Sequence, residues 1–122
     1  MDTQAIAEAF TGLMKEGKFD EAQDRFWAED IRSIEAAPGP HADVTGREAM
    51  AAKHAWWEEN STEHSTEIRG PIVNGDMFMV HFDMDVTMKD MGRMQMSETG
   101  LYTVKDGKIV EERFFYPLGE PE

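Results

Sequence analysis

The sequence predicts an α+β fold: three N-terminal helices packed on a curved, mostly antiparallel sheet. Three observations lead there. Apolar residues recur at helical spacing up to about residue 60 and alternate beyond it. The alternating half is cut at Asn74-Gly75-Asp76, at Lys89-Asp90-Met91-Gly92-Arg93 and at Asp106-Gly107, which is turn chemistry suited to hairpins. Helices come first and strands afterwards, the segregation typical of α+β architectures.

The first helix is predicted over residues 3–16, "TQAIAEAFTGLMKE", where Ile6, Phe10, Leu13 and Met14 share a face and Gly17 supplies the stop. "FDEAQDRFWAED" carries Phe19, Ala22, Phe26 and Trp27 on a similar stripe, so a shorter second helix should pack against the first, hinged at Gly17-Lys18. "IRSIEA" alternates and predicts a short strand from Ile31 to Ala36, closed by the loop "APGPHADVTG". A third helix opens near Thr45-Gly46-Arg47-Glu48, carries Met50, His54 and Trp57 along one face, and ends around Asn60. Four β-rich segments follow: "EHSTEIRGPIVNG", "DMFMVHFDMDVTMKD", "GRMQMSETGLYTVKD" and "GKIVEERFFYP".

Composition bounds the function. A chain of 122 residues with 40% hydrophobic content, three Trp and seven Phe can fill one core, so a single domain over residues 1–122 is expected. The net charge of −13, with twelve scattered Lys and Arg, repels nucleic acid and anionic membrane surfaces. The chain has no cysteine, which excludes disulfides, thiolate nucleophiles and thiolate metal sites. Its amino terminus lacks the basic and apolar regions of a signal peptide, and no apolar run approaches membrane-spanning length, so a cytoplasmic protein is expected. Most of the ten methionines fall between Met77 and Met96, where they read as filling irregular core space or an adaptable interface. In "HFDMD", His81, Asp83 and Asp85 share a strand face, but spacing of about 6.6 Å keeps neighbours from converging on one ion. That face reads as the outer sheet surface, and no metal is expected.

Strand parity picks out the first candidate proton carrier. On the last strand Val110, Glu112, Phe114 and Tyr116 share the more apolar face, opposite Ile109, Glu111, Arg113 and Phe115. If that face meets the helices, Glu112 is an acid lodged between Val110 and Phe114, where burial raises its pKa. On the preceding strand Glu98, Gly100, Tyr102 and Val104 share a face, so Tyr102 lines the pocket and Glu98 stands at its mouth. His54 stands one turn from both Met50 and Trp57 on the expected inner face of the third helix, and a histidine needs only a small environmental shift to act near neutral pH.

Taken together, "EGKFDEAQDRFWAEDI", "TGREAMAAKHAWW", "VNGDMFMVHF" and "YTVKDGKIVEERFFY" resemble the SnoaL-like branch of the NTF2-like superfamily over nearly the whole chain. The resemblance implies a cone-shaped barrel that opens between helices and sheet, with a homodimer formed through the outer sheet face. Relatives include ketosteroid isomerase, polyketide cyclases and limonene epoxide hydrolase, so the fold alone does not decide the function. In one register the resemblance places Glu35 at the general-base position of the isomerases; the other register places Ile34 there. It places Tyr116 where the cyclase and epoxide hydrolase relatives carry an Asp. Phe10 and Gly100 fall where the isomerases carry a Tyr and a carboxylic acid, which argues against a true ketosteroid isomerase.

The expected activity is cofactor-independent acid–base chemistry on a small apolar, carbonyl-bearing or cyclic molecule. Glu35 or Glu112 would move the proton, and Tyr116, Tyr102 or His54 would meet the developing oxyanion. Phe10, Trp57, Glu98, Val110 and Phe114 complete the expected pocket. The alternative is a non-catalytic ligand-binding or dimerisation module. A carboxylate locked to Arg32, Lys53 or Arg113 favours that module; a pocket carboxylate without a charged partner favours an enzyme.

Overall fold

The computed structural model describes residues 1–118. Its elements run α1 (Thr3–Lys15), α2 (Phe19–Phe26), β1 (Trp27–Ile34), β2 (Asp43–Thr45), α3 (Arg47–Asn60), β3 (Ser61–Asn74), β4 (Met77–Met88), β5 (Gly92–Lys105) and β6 (Lys108–Phe115). The six strands form one sheet in the order β2-β1-β6-β5-β4-β3. β1 and β6 pair parallel and every other neighbouring pair is antiparallel, so the fold is α+β with a mixed sheet.

Local chemistry accounts for the helical half. Asp2 caps α1 by accepting from the Ala5 amide at 2.8 Å, which satisfies one of the free N–H groups of the first turn. Ile6, Phe10 and Met14 form the buried stripe of α1. Gly17, at φ 79, turns the chain into α2 through a conformation that only glycine adopts without strain.

The second helix is shorter than the apolar stripe predicts. It stops at Phe26, and Trp27 already takes extended backbone, φ −72 and ψ 136. Phe26 and Trp27 fit a helical stripe, but Trp27, Ile31 and Ser33 are buried while Glu29, Asp30 and Arg32 are exposed. That pattern belongs to a strand pairing with β6 through an irregular register between Trp27 and Arg32. The predicted strand Ile31–Ala36 therefore begins earlier and ends earlier. The predicted loop contains β2, whose three residues pair with Arg32, Ser33 and Ile34.

In the meander, Phe78, Val80, Phe82, Met84 and Val86 turn inward from β4. His81, Asp83 and Asp85 turn outward: Arg69 reaches Asp83 at 2.5 Å, and Arg93 grips Asp85 at 3.0 and 2.8 Å. The β5–β6 hairpin departs from simple alternation. Val104 pairs with Ile109 and Thr103 pairs with Glu111, which leaves Val110 as the extra residue of a bulge. The bulge reverses parity once. Ile109 is fully buried and Glu112 is 6% exposed, while Val110 is only half-buried. The expected inward face therefore holds from Glu112 onward and fails at Val110, whose place in the core Ile109 takes.

Candidate functional site

A cavity of about 530 Å³ lies between the helices and the inner sheet face, within the size range of small-molecule sites. Phe10 and Phe82 and the methionines Met14, Met50, Met84, Met88 and Met96 line it, giving an apolar wall of flexible side chains that adapts to the shape of its contents. All three tryptophans, Trp27, Trp56 and Trp57, also line it.

The polar side of the cavity is a hydrogen-bonded chain. Ser33, fully buried, donates to the Glu112 carboxylate at 2.7 Å. Lys53 reaches down from α3 and donates to the Ser33 hydroxyl at 2.7 Å and to Glu35 at 2.6 Å. Tyr116 donates to the other Glu35 oxygen at 3.0 Å and accepts from the Ala37 amide at 3.2 Å. Five pieces of the chain thus meet through side chains: β1, the loop after it, α3, β6 and the segment that follows β6. The Lys53 ammonium also lies 5.6 Å from the centre of the Phe114 ring, within cation–π reach.

Glu98 stands apart from this chain. It lines the cavity from β5, and its carboxyl has no hydrogen-bond or ion-pair partner among the described residues. Burial, reinforced by the charges of Glu35 and Glu112 and opposed by Lys53, pushes its pKa up to about 7. Burial likewise pushes Glu112 up to about 7 against the Ser33 hydrogen bond and the Lys53 charge. An acid near 7 both gives and takes protons at neutral pH.

Of the residues expected in the pocket, Phe10, Glu35, His54, Trp57, Glu98, Tyr102, Glu112, Phe114 and Tyr116 all line the cavity. Val110 does not, because the bulge turns it away. Between the two registers for the short strand, Glu35 reaches the cavity and Ile34 does not. Ser33 was absent from the expected pocket and Lys53 was expected only as a cation that locks a carboxylate, as it does with Glu35, yet both carried a signal for the pocket itself. Lys53 completes the helical spacing of Met50, His54 and Trp57. Ser33 shares strand parity with Ile31 and Glu35.

A family model for the SnoaL-like domain matches residues 1–116. A Mesorhizobium loti protein, provisionally described as a SnoaL-like polyketide cyclase, superposes with a TM-score of 0.92 at 49% identity, covering 95% of this chain and 100% of that one. A Xanthomonas campestris protein of unknown function with a cystatin-like fold superposes at 0.74 with 16% identity over 95% and 91% of the two chains. A Catenulispora acidiphila protein with a ketosteroid isomerase-like fold, solved with trimethylamine, superposes at 0.66 with 20% identity over 94% and 84%. No curated protein matches. With the family match spanning nearly the whole chain and the Mesorhizobium loti structure half identical, this protein belongs to the SnoaL-like family.

Proposed function

We propose that this protein binds a small apolar, carbonyl-bearing or cyclic molecule in the cavity and catalyses proton transfer on it, with Glu98 as the proton carrier. The observation that carries this reading is the Glu98 carboxyl, without a partner among the described residues, on the wall of an otherwise largely apolar cavity. As carboxylate, Glu98 takes a proton from the carbon beside the carbonyl; the C–H electron pair becomes the C=C of an enolate and the carbonyl oxygen takes the negative charge. Where a C=C lies beside that carbon, the enolate extends over it and return of the proton to its far carbon gives an isomer; attack of the enolate carbon on a second carbonyl instead forms a C–C bond, closes a ring and leaves an alkoxide that takes the proton back from Glu98. Glu112 is the second titrating acid, and Lys53 supplies positive charge to the site.

The test is exchange of deuterium from solvent into a panel of apolar ketones and lactones, followed by NMR. The wild type accelerates exchange at carbons beside a carbonyl, and Glu98→Gln lowers the rate by about a hundredfold or more. Ligand binding is read separately from tryptophan fluorescence, since all three tryptophans line the cavity.

A second reading, a ligand-binding module without turnover, is favoured by one observation. Lys53 holds Glu35 at 2.6 Å, so the acid at the isomerase-like position is locked in an ion pair. The trimethylamine bound by the Catenulispora acidiphila relative is consistent with either reading. Fluorescence quenching without any exchange across the panel selects the module; neither response removes both.

A further inference from the structure

We infer that Tyr102 is the hydrogen-bond donor that receives the ligand's carbonyl oxygen, and that Gly100 is the slot that lets its hydroxyl reach the cavity. The inference rests on the carbonyl-ligand reading above. Tyr102 and Gly100 face inward from β5, two residues apart. A Cβ placed on Gly100 would lie 2.9 Å from a Tyr102 ring carbon, 3.1 Å from its hydroxyl and 3.2 Å from a Phe114 ring carbon. The Tyr102 ring therefore lies back along its own strand over Gly100, and its hydroxyl points toward the end of β5 that carries Glu98. Any larger residue at position 100 occupies that space.

The ring has little room to turn. It stacks on Phe78 at 5.0 Å between centroids and 13° between planes, and it meets Phe10 at 5.2 Å and Phe114 at 6.5 Å edge-on. Tyr102 is 2% exposed and lines the cavity, yet its hydroxyl has no hydrogen-bond partner among the described residues. The hydroxyl is not one of the fully enclosed unpaired polar atoms, which among these residues belong to Thr11, Trp27, Arg47 and Thr66, so the O–H opens onto the cavity. Its backbone neighbour across the sheet is Glu112, whose carboxylate accepts instead from Ser33. Tyr116, the other tyrosine of the chain, has its proton engaged by Glu35. Tyr102 is thus a rigidly held O–H with no acceptor among the described residues. Burial and the surrounding glutamates hold it protonated to well above the usual tyrosine value, and the missing acceptor is a ligand oxygen.

The experiment is infrared and carbon NMR spectroscopy of cyclohexanone, labelled at its carbonyl carbon, bound to the wild type and to Tyr102→Phe, Gly100→Ala and Tyr116→Phe. In the wild type the carbonyl stretch moves to lower frequency than in an apolar solvent. In Tyr102→Phe that displacement disappears and the dissociation constant rises about five- to tenfold, the effect of one neutral hydrogen bond. Gly100→Ala, which forces the ring aside, gives the same loss with the tyrosine still present. Tyr116→Phe retains the displacement. A bound ketone with an undisplaced carbonyl, or a displacement lost in Tyr116→Phe and kept in Tyr102→Phe, overturns this inference alone. Failure of the wild type to bind any ketone overturns the carbonyl-ligand reading and this inference with it.

Discussion

The outer face of the sheet and the cavity behind it treat the same functional group in opposite ways. Outside, Asp43 is gripped by Arg32, Asp85 by Arg93, and Asp83 by Ser97 and Arg69, and these hydrogen bonds hold each carboxyl below its usual value. Inside, burial drives Glu98 and Glu112 up to about 7. No arginine lines the cavity, and Lys53 is the sole Lys or Arg on its wall among the described residues. Placement of arginine, rather than the number of acids, therefore separates a solvated ionic surface from a site able to exchange protons.

The largest expected effect is on stability as a function of pH. An unfolded glutamate titrates near 4.5, but native Glu112 holds its proton up to about 7. Between those values the native state binds the extra proton, so stability falls as pH rises across this window. For Glu112 the loss is on the order of 3 kcal/mol by pH 8. The outer aspartates work in the other direction, losing their contribution as pH falls through their lowered values. Urea denaturation should therefore show maximum stability near the ordinary carboxylate values of 3.8 to 4.5. Glu112→Gln should flatten the decline toward pH 8 while leaving the acid limb in place. The net charge of −13 also weakens the fold as pH rises, but that repulsion is screened by salt. Equal slopes for wild type and Glu112→Gln in high salt would remove Glu112 as the cause.

Next in size is the ion pair that ties the helices to the sheet. The Lys53 and Glu35 side chains are 18% and 23% exposed, and Lys53 also engages Ser33. Lys53→Met leaves Glu35 half-buried without its cation and should cost about 2 kcal/mol, less than the loss for a fully buried pair because water still reaches the site. Lys53→Met with Glu35→Met should recover most of that loss in a double-mutant cycle. A single substitution that costs nothing would mean that α3 is held by its apolar contacts alone. Lys53 lowers both Glu98 and Glu112, so Lys53→Met should also move their titrations upward by NMR.

Much of this contrast was legible in the sequence, and its gaps have physical causes. The inward placement of Phe78 through Val86 and of Glu112 through Tyr116 follows from strand parity, which holds wherever pairing is regular. Parity failed at Val110 because a bulge adds a residue that no alternation rule anticipates. The boundary at Phe26 was hidden because two adjacent buried aromatics satisfy helical and extended patterns alike. Glu98 reads from the sequence only as a residue at the pocket mouth, yet it pairs across the sheet with Phe82 and feels the charges of Glu35, Glu112 and Lys53, none of which is near it in sequence. The chain from Tyr116 to Glu112 through Lys53 was out of reach for the same reason, since hydrogen-bond partners 79 and 81 residues apart are settled by tertiary packing alone.

The smallest expected effect sharpens the contrast within a single segment of chain. Arg32 and Glu35 lie three residues apart, and each makes an ion pair of similar length, Arg32 with Asp43 at 2.7 Å and Glu35 with Lys53 at 2.6 Å. The outer pair has the better geometry, with two parallel hydrogen bonds at 2.9 and 2.7 Å. If ion-pair geometry governed stability, Arg32→Ala would be the more damaging change. The two side chains are 47% and 53% exposed, however, and water and salt recover most of what the pair supplies. Arg32→Ala should therefore leave the urea midpoint at neutral pH where it is, alter the acid limb only slightly as Asp43 returns toward its ordinary value, and leave the Glu98 and Glu112 titrations unmoved. A midpoint that fell as far as in Lys53→Met would show that enclosure does not distinguish the two faces, and the pH behaviour of the cavity acids would need another source.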